Sequence, residues 1–267
     1  MMKEEYTIEE KSIAPQNTQY EEEREEELEE MPLLAHLQEL RKRIILIFCY
    51  ILLGFLICYT FAEDIFSFIV APLLVELPTN SKLIFTALPE AFFVYIKVAF
   101  LAGMFLMSPC IFYQVWAFVA PGLYREEKLY AIGIGICSSL FFIGGGAFCY
   151  YNVFPVAFRF FLGFSNAYIE AMPSLDVFLS FALKLLFAFG LIAQMPLFAF
   201  FLGRLGIISV RGMKNFRKYF MLLAFIVAAI LTPPDIFSQT LMAIPMLLLY
   251  ELSICVVFVL ERSRVRT

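Results

Sequence analysis

HLQELRKRIILIFCYILLGFLICYTF, residues 36 to 61, opens with a carboxylate and three cations and then runs from Ile44 to Phe61 without a charge. At 1.5 Å per residue those 18 residues make about 27 Å of helix, close to the hydrocarbon thickness of a bilayer. The stretch reads as a membrane span entered from a cationic edge. Arg41, Lys42 and Arg43 anchor that edge, and Glu39 lies one helical turn before the lipid. Just upstream, Leu33, Leu34, Leu37 and Leu40 fall at helical spacing between Pro32 and Arg43. This predicts an amphipathic surface helix that turns into the span.

The rest of the chain agrees with that reading. Apolar residues make up 61% of the 267, aromatics 17%, and mean hydropathy is +0.81, more than a soluble core requires. The net charge of −4 conceals two opposite parts. Met1 to Met31 holds 12 glutamates against Lys3, Lys11 and Arg24, a charge of −9, and the remainder holds 12 acids against 17 bases, a charge of +5. Residues 1–31 are therefore expected to be an acidic, solvated, disordered tail, with a membrane domain over 32–260 and a basic tail over 261–267. No cationic start leads into a short apolar core and a small-residue cleavage site, so Ile44 onward is expected to remain as a span.

Five further spans are predicted. The second lies within Val98–Val119, and the third starts after Lys128 and stays uncharged to Arg159, with Gly144, Gly145 and Gly146 permitting close helix approach. The fourth occupies Phe178–Gly203 and contains Gln194 beside Pro196. The fifth has only 13 apolar residues, Tyr219–Leu231, before Thr232, Pro233, Pro234 and Asp235 force a turn. Asp235 is placed to cap the sixth, which continues past Pro245 and Glu251 to Leu260. The loop Ala62–Ala91, with Pro72, Pro78 and Pro89, is expected to fold over the outer face. Thirteen cations, from Arg41 to Arg266, gather on one side of this arrangement, so the positive-inside rule puts both termini in the cytoplasm.

Chemistry is scarce. His36 is the only histidine, which leaves no Ser-His-Asp set, no HExxH and no histidine-based metal cluster, and there is no nucleotide loop. Neither a catalytic residue nor a cofactor is expected, and nothing reads nucleic acid. The six cysteines all fall in apolar segments without a CxxC pair, as inert packing residues would. The polar residues that stand out are Glu39, Glu127, Gln194, Asp235 and Glu251. Glu39 and Glu127 each have neighbouring cations, so spacing permits either surface ion pairs or a carboxylate pair that reads a cationic ligand. Gln194 needs a partner within this chain or on another helix. Asp235 and Glu251 read as structural.

Four segments then match a family: HLQELRKR at 36–43, YQVWAFVAPGLYREE at 113–127, FGLIAQMP at 189–196 and LTPPDIFSQTLMAIPMLLLYE at 231–251. In order and spacing they resemble the TatC subunit of the twin-arginine protein translocase, over about Pro32 to Leu260. The resemblance implies an all-α, glove-shaped membrane protein of six transmembrane helices with a short fifth and sixth, both termini cytoplasmic, in a bacterial inner membrane. It implies a receptor that binds twin-arginine signal peptides of folded proteins, self-associates and recruits single-span TatA- and TatB-type partners, powered by the proton-motive force. By motif, Glu39 and Glu127 resemble the carboxylates that recognise the arginine pair, with Arg41 and Phe118 in support. Pro72 and Asp176 resemble parts of an outer cap. Gln194 stands where some relatives carry Glu, and the acidic tail has no counterpart role. The rival reading is a small secondary transporter with helices broken at Pro196 and Pro245.

Overall fold

The computed structural model describes residues 36–77, 83–85, 87–119, 128–164, 172–232 and 235–264, with the backbone alone at 128–131, 263 and 264. The acidic tail, the leucines before His36, Pro78, Lys82, the whole segment 120–127, Pro233 and Pro234 lie outside the described residues. The chain divides into two units, Met1–Leu46 and Ile47–Thr267. In the first, the described residues 36–46 are all helical. They begin α1, His36–Tyr59.

The second unit is built from helices alone among the described residues, apart from one isolated parallel bridge between Ile84 and Ser174. In chain order it contains the rest of α1, then α2 Ala62–Glu76, α3 Glu90–Leu106, α4 Ser108–Val119 and α5 Lys128–Phe148. A π-turn, Cys149–Val153, leads into α6 Phe154–Leu162, followed by α7 Leu175–Ile192, α8 Met195–Arg204, α9 Val210–Leu231 and α10 Ile236–Arg264.

The breaks have local causes. Pro109 stands at the second position of α4 and cannot donate back to Phe105, so α3 and α4 meet at Met107 with a 58° bend. Ser108 Oγ donates to the Phe105 carbonyl that the proline leaves free (2.8 Å). Pro155 has the same effect on the third span, where the π-turn takes up the mismatch. Pro196 ends α7 and restarts α8 through Ala193 and Gln194.

Four runs are long and apolar enough to cross a bilayer: His36–Tyr59, Ile132–Leu162, Leu175–Arg204 and Ile236–Arg262. The bent α3–α4 pair makes a fifth. It starts at Glu90, eight residues earlier than the sequence placed the second span. α9 fails the same test because Arg211, Lys214, Arg217 and Lys218 crowd its first half, leaving Tyr219–Leu231 as its apolar part. The shortness expected of the last hairpin is confined to that half-helix, since α10 runs for 29 residues, straight through Pro245. The basic segment expected from 261 accordingly begins inside α10. The loop expected over Ala62–Ala91 contains a 15-residue helix, α2, which packs on α3 and α6 and carries Pro72 within it.

Three apolar clusters among the described residues hold these helices together, the smallest joining α1, α2 and α3 around Cys58, Ala62 and Ala99. The largest joins α2, α3, α6, α7 and the π-turn around Phe154, Phe189, Leu179 and Val98, all essentially sealed from solvent. Another joins α8, α9 and α10 around Ala224 and Val257. There Phe220 and Tyr250 stack 4.1 Å apart, and the Tyr250 hydroxyl donates to the Met213 carbonyl (2.8 Å).

Glycines set the closest crossings. A Cβ on Gly103 would lie 2.5 Å from the Phe55 nitrogen, and one on Gly54 would lie 2.5 Å from the Gly103 carbonyl oxygen, so α1 and α3 touch backbone to backbone. Of the expected glycine triplet, Gly145 lies against the Phe189 carbonyl and Gly146 against the Phe105 ring, whereas Gly144 faces open space. These environments predict opposite outcomes. Gly103→Val must push α1 away and is expected to cost about 1–3 kcal/mol, as overpacking does. Gly144→Ala is expected to gain up to about 1 kcal/mol of helix propensity. Thermal unfolding of the two purified variants in one detergent checks the opposite signs.

Candidate functional site

Glu39 lies on the second turn of α1. Arg43 Nη2, one turn later, donates to Glu39 Oε1 at 3.1 Å, with the two side chains 25% and 33% exposed. Glu39 Oε2 has no hydrogen bond among the described residues, and Arg41 is exposed. Of the two neutralising cations that spacing allowed, Arg43 makes the pair. Among the described residues, the head of the span therefore presents a carboxylate with one oxygen bonded to Arg43. Phe118 is half-buried in the last turn of α4. Glu127 lies outside the described residues.

Gln194 is buried, 2% exposed, in the turn between α7 and α8. Its Nε2 donates to the Ser138 carbonyl of α5 (2.9 Å), and Trp116 Nε1 of α4 donates to the Ser138 hydroxyl (2.6 Å). Ser108 and Ser139 hydroxyls bond at 2.7 Å between the same two helices. Gln194 Oε1 has no hydrogen bond among the described residues. Leaving such an acceptor buried costs about 1–3 kcal/mol. Gln194 thus bonds within the chain through its nitrogen and keeps its oxygen open to a donor.

Asp235 caps α10: Ser238 N–H donates to Oδ1 at 2.7 Å. Glu251 receives Arg217 of α9 (2.6 Å), and Glu261 Oε1 accepts the Val210 N–H at the start of α9 (2.8 Å). Both acids hold α10 to α9, so Glu251 reaches a neighbouring helix and not the Arg262 end.

Asp176, in the first turn of α7, receives Lys97 Nζ of α3 (2.5 Å), which also donates to Ser180 (3.0 Å). Beside it stands Glu90, 9% exposed, which the sequence reading missed. Its Oε1 accepts the Asp176 N–H (2.7 Å) and the Ser174 hydroxyl (3.1 Å), and Oε2 accepts the Ala87 N–H (3.2 Å). An acid just after Pro89 at the start of a helix is a legible signal, since it suits the helix dipole. Its partners on α7, over 80 residues away, are not. Pro72 lies half-buried on α2, four residues before Glu76. Arg159 binds Glu76 through two nitrogens (2.7 and 3.2 Å) and holds its carboxyl below the ordinary range.

Of the six cysteines only Cys58 and Cys149 are buried, while Cys49, Cys137 and Cys255 are exposed. In a chain whose outward faces meet lipid, an apolar sulfur needs no protein around it. Among the described residues no group of three or more His, Cys, Asp or Glu side chains is arranged to hold a metal ion.

Helices of bilayer length whose polar groups tie helix to helix define an all-helical, multi-pass membrane protein. The family model for Sec-independent protein translocase protein (TatC) matches residues 35–245. A TatC of Desulforapulum autotrophicum is 48% identical over 85% of this chain and 84% of the relative. The TatC of Escherichia coli K12 is 40% identical over 84% and 86%. A crystal structure of the twin arginine translocase receptor TatC superposes with a TM-score of 0.77 at 39% identity, covering 84% of this chain and 98% of that one. The chain belongs to the TatC family, a component of a protein-transport complex and not an enzyme.

Burial separates the two acids at the start of α3 and α7. The Lys97–Asp176 pair is 43% and 42% exposed and is worth about 0–1 kcal/mol. Glu90 takes three hydrogen bonds in a buried site, where bonds to a charged group are worth about 1.5–3 kcal/mol each. Glu90→Gln is therefore expected to lower the unfolding temperature more than Lys97→Met, as measured by thermal melts of the two proteins in the same detergent.

Proposed function

We propose that this chain is the core receptor subunit of a twin-arginine translocase. It binds twin-arginine signal peptides of folded proteins and assembles with TatA- and TatB-type single-span subunits and with copies of itself for export driven by the proton-motive force. The observation that carries this reading is Glu39: a carboxylate at the head of a membrane span, with one oxygen on Arg43 and the other without a hydrogen bond among the described residues, inside a chain matched by the TatC family. Glu127 acts with it, and Arg41 and Phe118 support the site. A planar guanidinium binds a carboxylate through two parallel bonds, which an ammonium cannot reproduce, so arginine is selected over lysine.

Gln194 offers its open oxygen to a polar side chain of a partner helix. Pro72 and Asp176 belong to the outer cap, and Asp235 and Glu251 keep the last hairpin in place for assembly. The membrane domain spans 32–260, flanked by the acidic segment 1–31 and the basic segment 261–267. Both termini face the cytoplasm, and the membrane is the bacterial inner membrane. The transporter reading required helices broken at Pro196 and at Pro245. α10 is continuous at Pro245, which removes one side of the site that reading needs.

A photocrosslinking probe placed beside Glu39, and another beside Glu127, is expected to label a peptide carrying the RR signal and to lose most labelling when the pair is KK. Glu39→Ala is expected to reduce export of a folded reporter by at least tenfold in a translocase-null cell complemented with this chain. Equal labelling by RR and KK signals would sink the recognition claim.

A further inference from the structure

The first half of α9 carries Arg211, Lys214, Arg217 and Lys218, and no acid stands in its first turn or anywhere between Val210 and Leu231. Arg217 turns to Glu251 of α10 (2.6 Å). Arg211, Lys214 and Lys218 stand at offsets of three and seven residues, so they share one stripe of the helix. All three are exposed, and the buried Met213, Phe220 and Ala224 fall on the opposite side. None of the three has an acidic partner among the described residues, and Lys218 lies over the Tyr219 ring (5.0 Å). Within α9 this stripe is unfavourable, because cations near a helix start meet the positive pole of its dipole and like charges three and four residues apart repel. It calls for anions from outside the helix.

The chain itself supplies them. Residues 21–30, outside the described residues, read EEEREEELEE, eight glutamates against Arg24, and Glu22, Glu25 and Glu29 repeat the offsets of three and seven. His36–Tyr59, the bent α3–α4 pair, Ile132–Leu162 and Leu175–Arg204 are four runs of membrane-spanning length, so α9 starts on the side from which α1 enters. Fifteen residues lead from Glu21 to His36, a tether of up to about 50 Å, against about 8–10 Å between neighbouring packed helices. The cations at the head of α1 are less well arranged: Arg43 is bound to Glu39, and Arg41 and Lys42, adjacent in sequence, point about 100° apart on a helix. Three cations in one row also suit a single polyanion better than separate lipid phosphates, each of which has to be immobilised on its own. We propose that the exposed cationic stripe of α9 is a docking surface for this chain's own acidic segment, residues 21–30.

Photocrosslinking of the full chain tests this. Leu28 is the one apolar residue of the segment, so p-benzoylphenylalanine in its place leaves every charge intact and marks what the segment touches. The protein is irradiated in a non-ionic detergent and in bilayers of phosphatidylcholine with phosphatidylglycerol, and the labelled peptides are mapped by mass spectrometry. The expected result is label on residues 210–222 in both settings, on protein of single-chain mass, falling at least fivefold in about 1 M salt, where the Debye length is about 3 Å. Arg211→Gln, Lys214→Gln and Lys218→Gln together should cut that label at least tenfold, whereas Lys42→Gln should leave it within twofold. If thermal melting shows that the triple variant does not fold, replacing the eight glutamates of the segment with glutamine decides in its place and should cause the same loss. Label at the head of α1 instead of α9, or label that either set of glutamine variants leaves unchanged, would overturn the proposal. So would label on α9 in detergent that vanishes in the bilayers, which assigns the stripe to lipid phosphates, or label confined to protein of twice the chain mass, which assigns it to the acidic segment of a second copy.

Discussion

Inside hydrocarbon a polar group has only the protein to bond, so buried hydroxyls, amides and freed carbonyls in the spans must find their partners within the protein, on the same helix or a neighbouring one. Ser138 shows the consequence. Its hydroxyl takes Trp116 from α4 and its carbonyl takes Gln194 from the α7–α8 turn, so one residue of α5 fixes two other segments. Ser108 performs the same service where Pro109 leaves the Phe105 carbonyl without its donor, and also bonds Ser139. At Pro109 the bend is accommodated because a side chain satisfies what the proline releases. Gln194 Oε1, Asp235 Oδ2 and Ser238 Oγ are exceptions among the described residues, and an acceptor such as Gln194 Oε1 left open in this setting favours whatever brings it a donor.

Packing is the second constraint. Between helices in lipid the hydrophobic effect gives no driving force, and close contact must supply the attraction. Gly54 and Gly103 let two backbones meet, and Ala224 and Ala228 are sealed along α9. α9 needs this most, because its charged first half cannot enter the lipid. It is held instead by ties to α10 that include the Phe220–Tyr250 stack, the Tyr250–Met213 and Gln239–Phe225 bonds, the Arg217–Glu251 pair and the bond from Val210 N–H to Glu261. The short apolar half of α9 is thus tolerated because its partner is long.

Local features were legible in the sequence and remote pairings were not. An 18-residue uncharged run and the cap at Asp235 follow from the residues in sight, and each is found where it was expected. The motifs also pointed to the family. The helix within Ala62–Ala91 was obscured because three prolines read as a loop, although Pro72 is tolerated inside α2. Glu90 was overlooked since its value lies in Ser174 and Asp176, which only the fold brings beside it. The sixth helix was read through Pro245 and Glu251 to Leu260, yet the resemblance made it short; it runs on to Arg264, with Glu251 and Glu261 bonded to α9.

The split between remote and local information bears on how a receptor of this kind selects its cargo. The Glu39–Arg43 pair is partly exposed, and pairs of that sort contribute about 0–1 kcal/mol. On the proposed reading, two carboxylates facing two arginines would add little affinity, yet would reject lysine, because an unmatched donor geometry is lost at both sites together. Affinity has to come from apolar surface, at about 25 cal/mol per Å² removed from water. A signal segment burying 300 Å² would gain roughly 7 kcal/mol on that scale, several times what the charges supply. In the proposed receptor, charge recognition at the head of α1 would then work as a filter on sequences held chiefly by their apolar surface. For that arrangement a weakly paired carboxylate is better suited than a fully satisfied one.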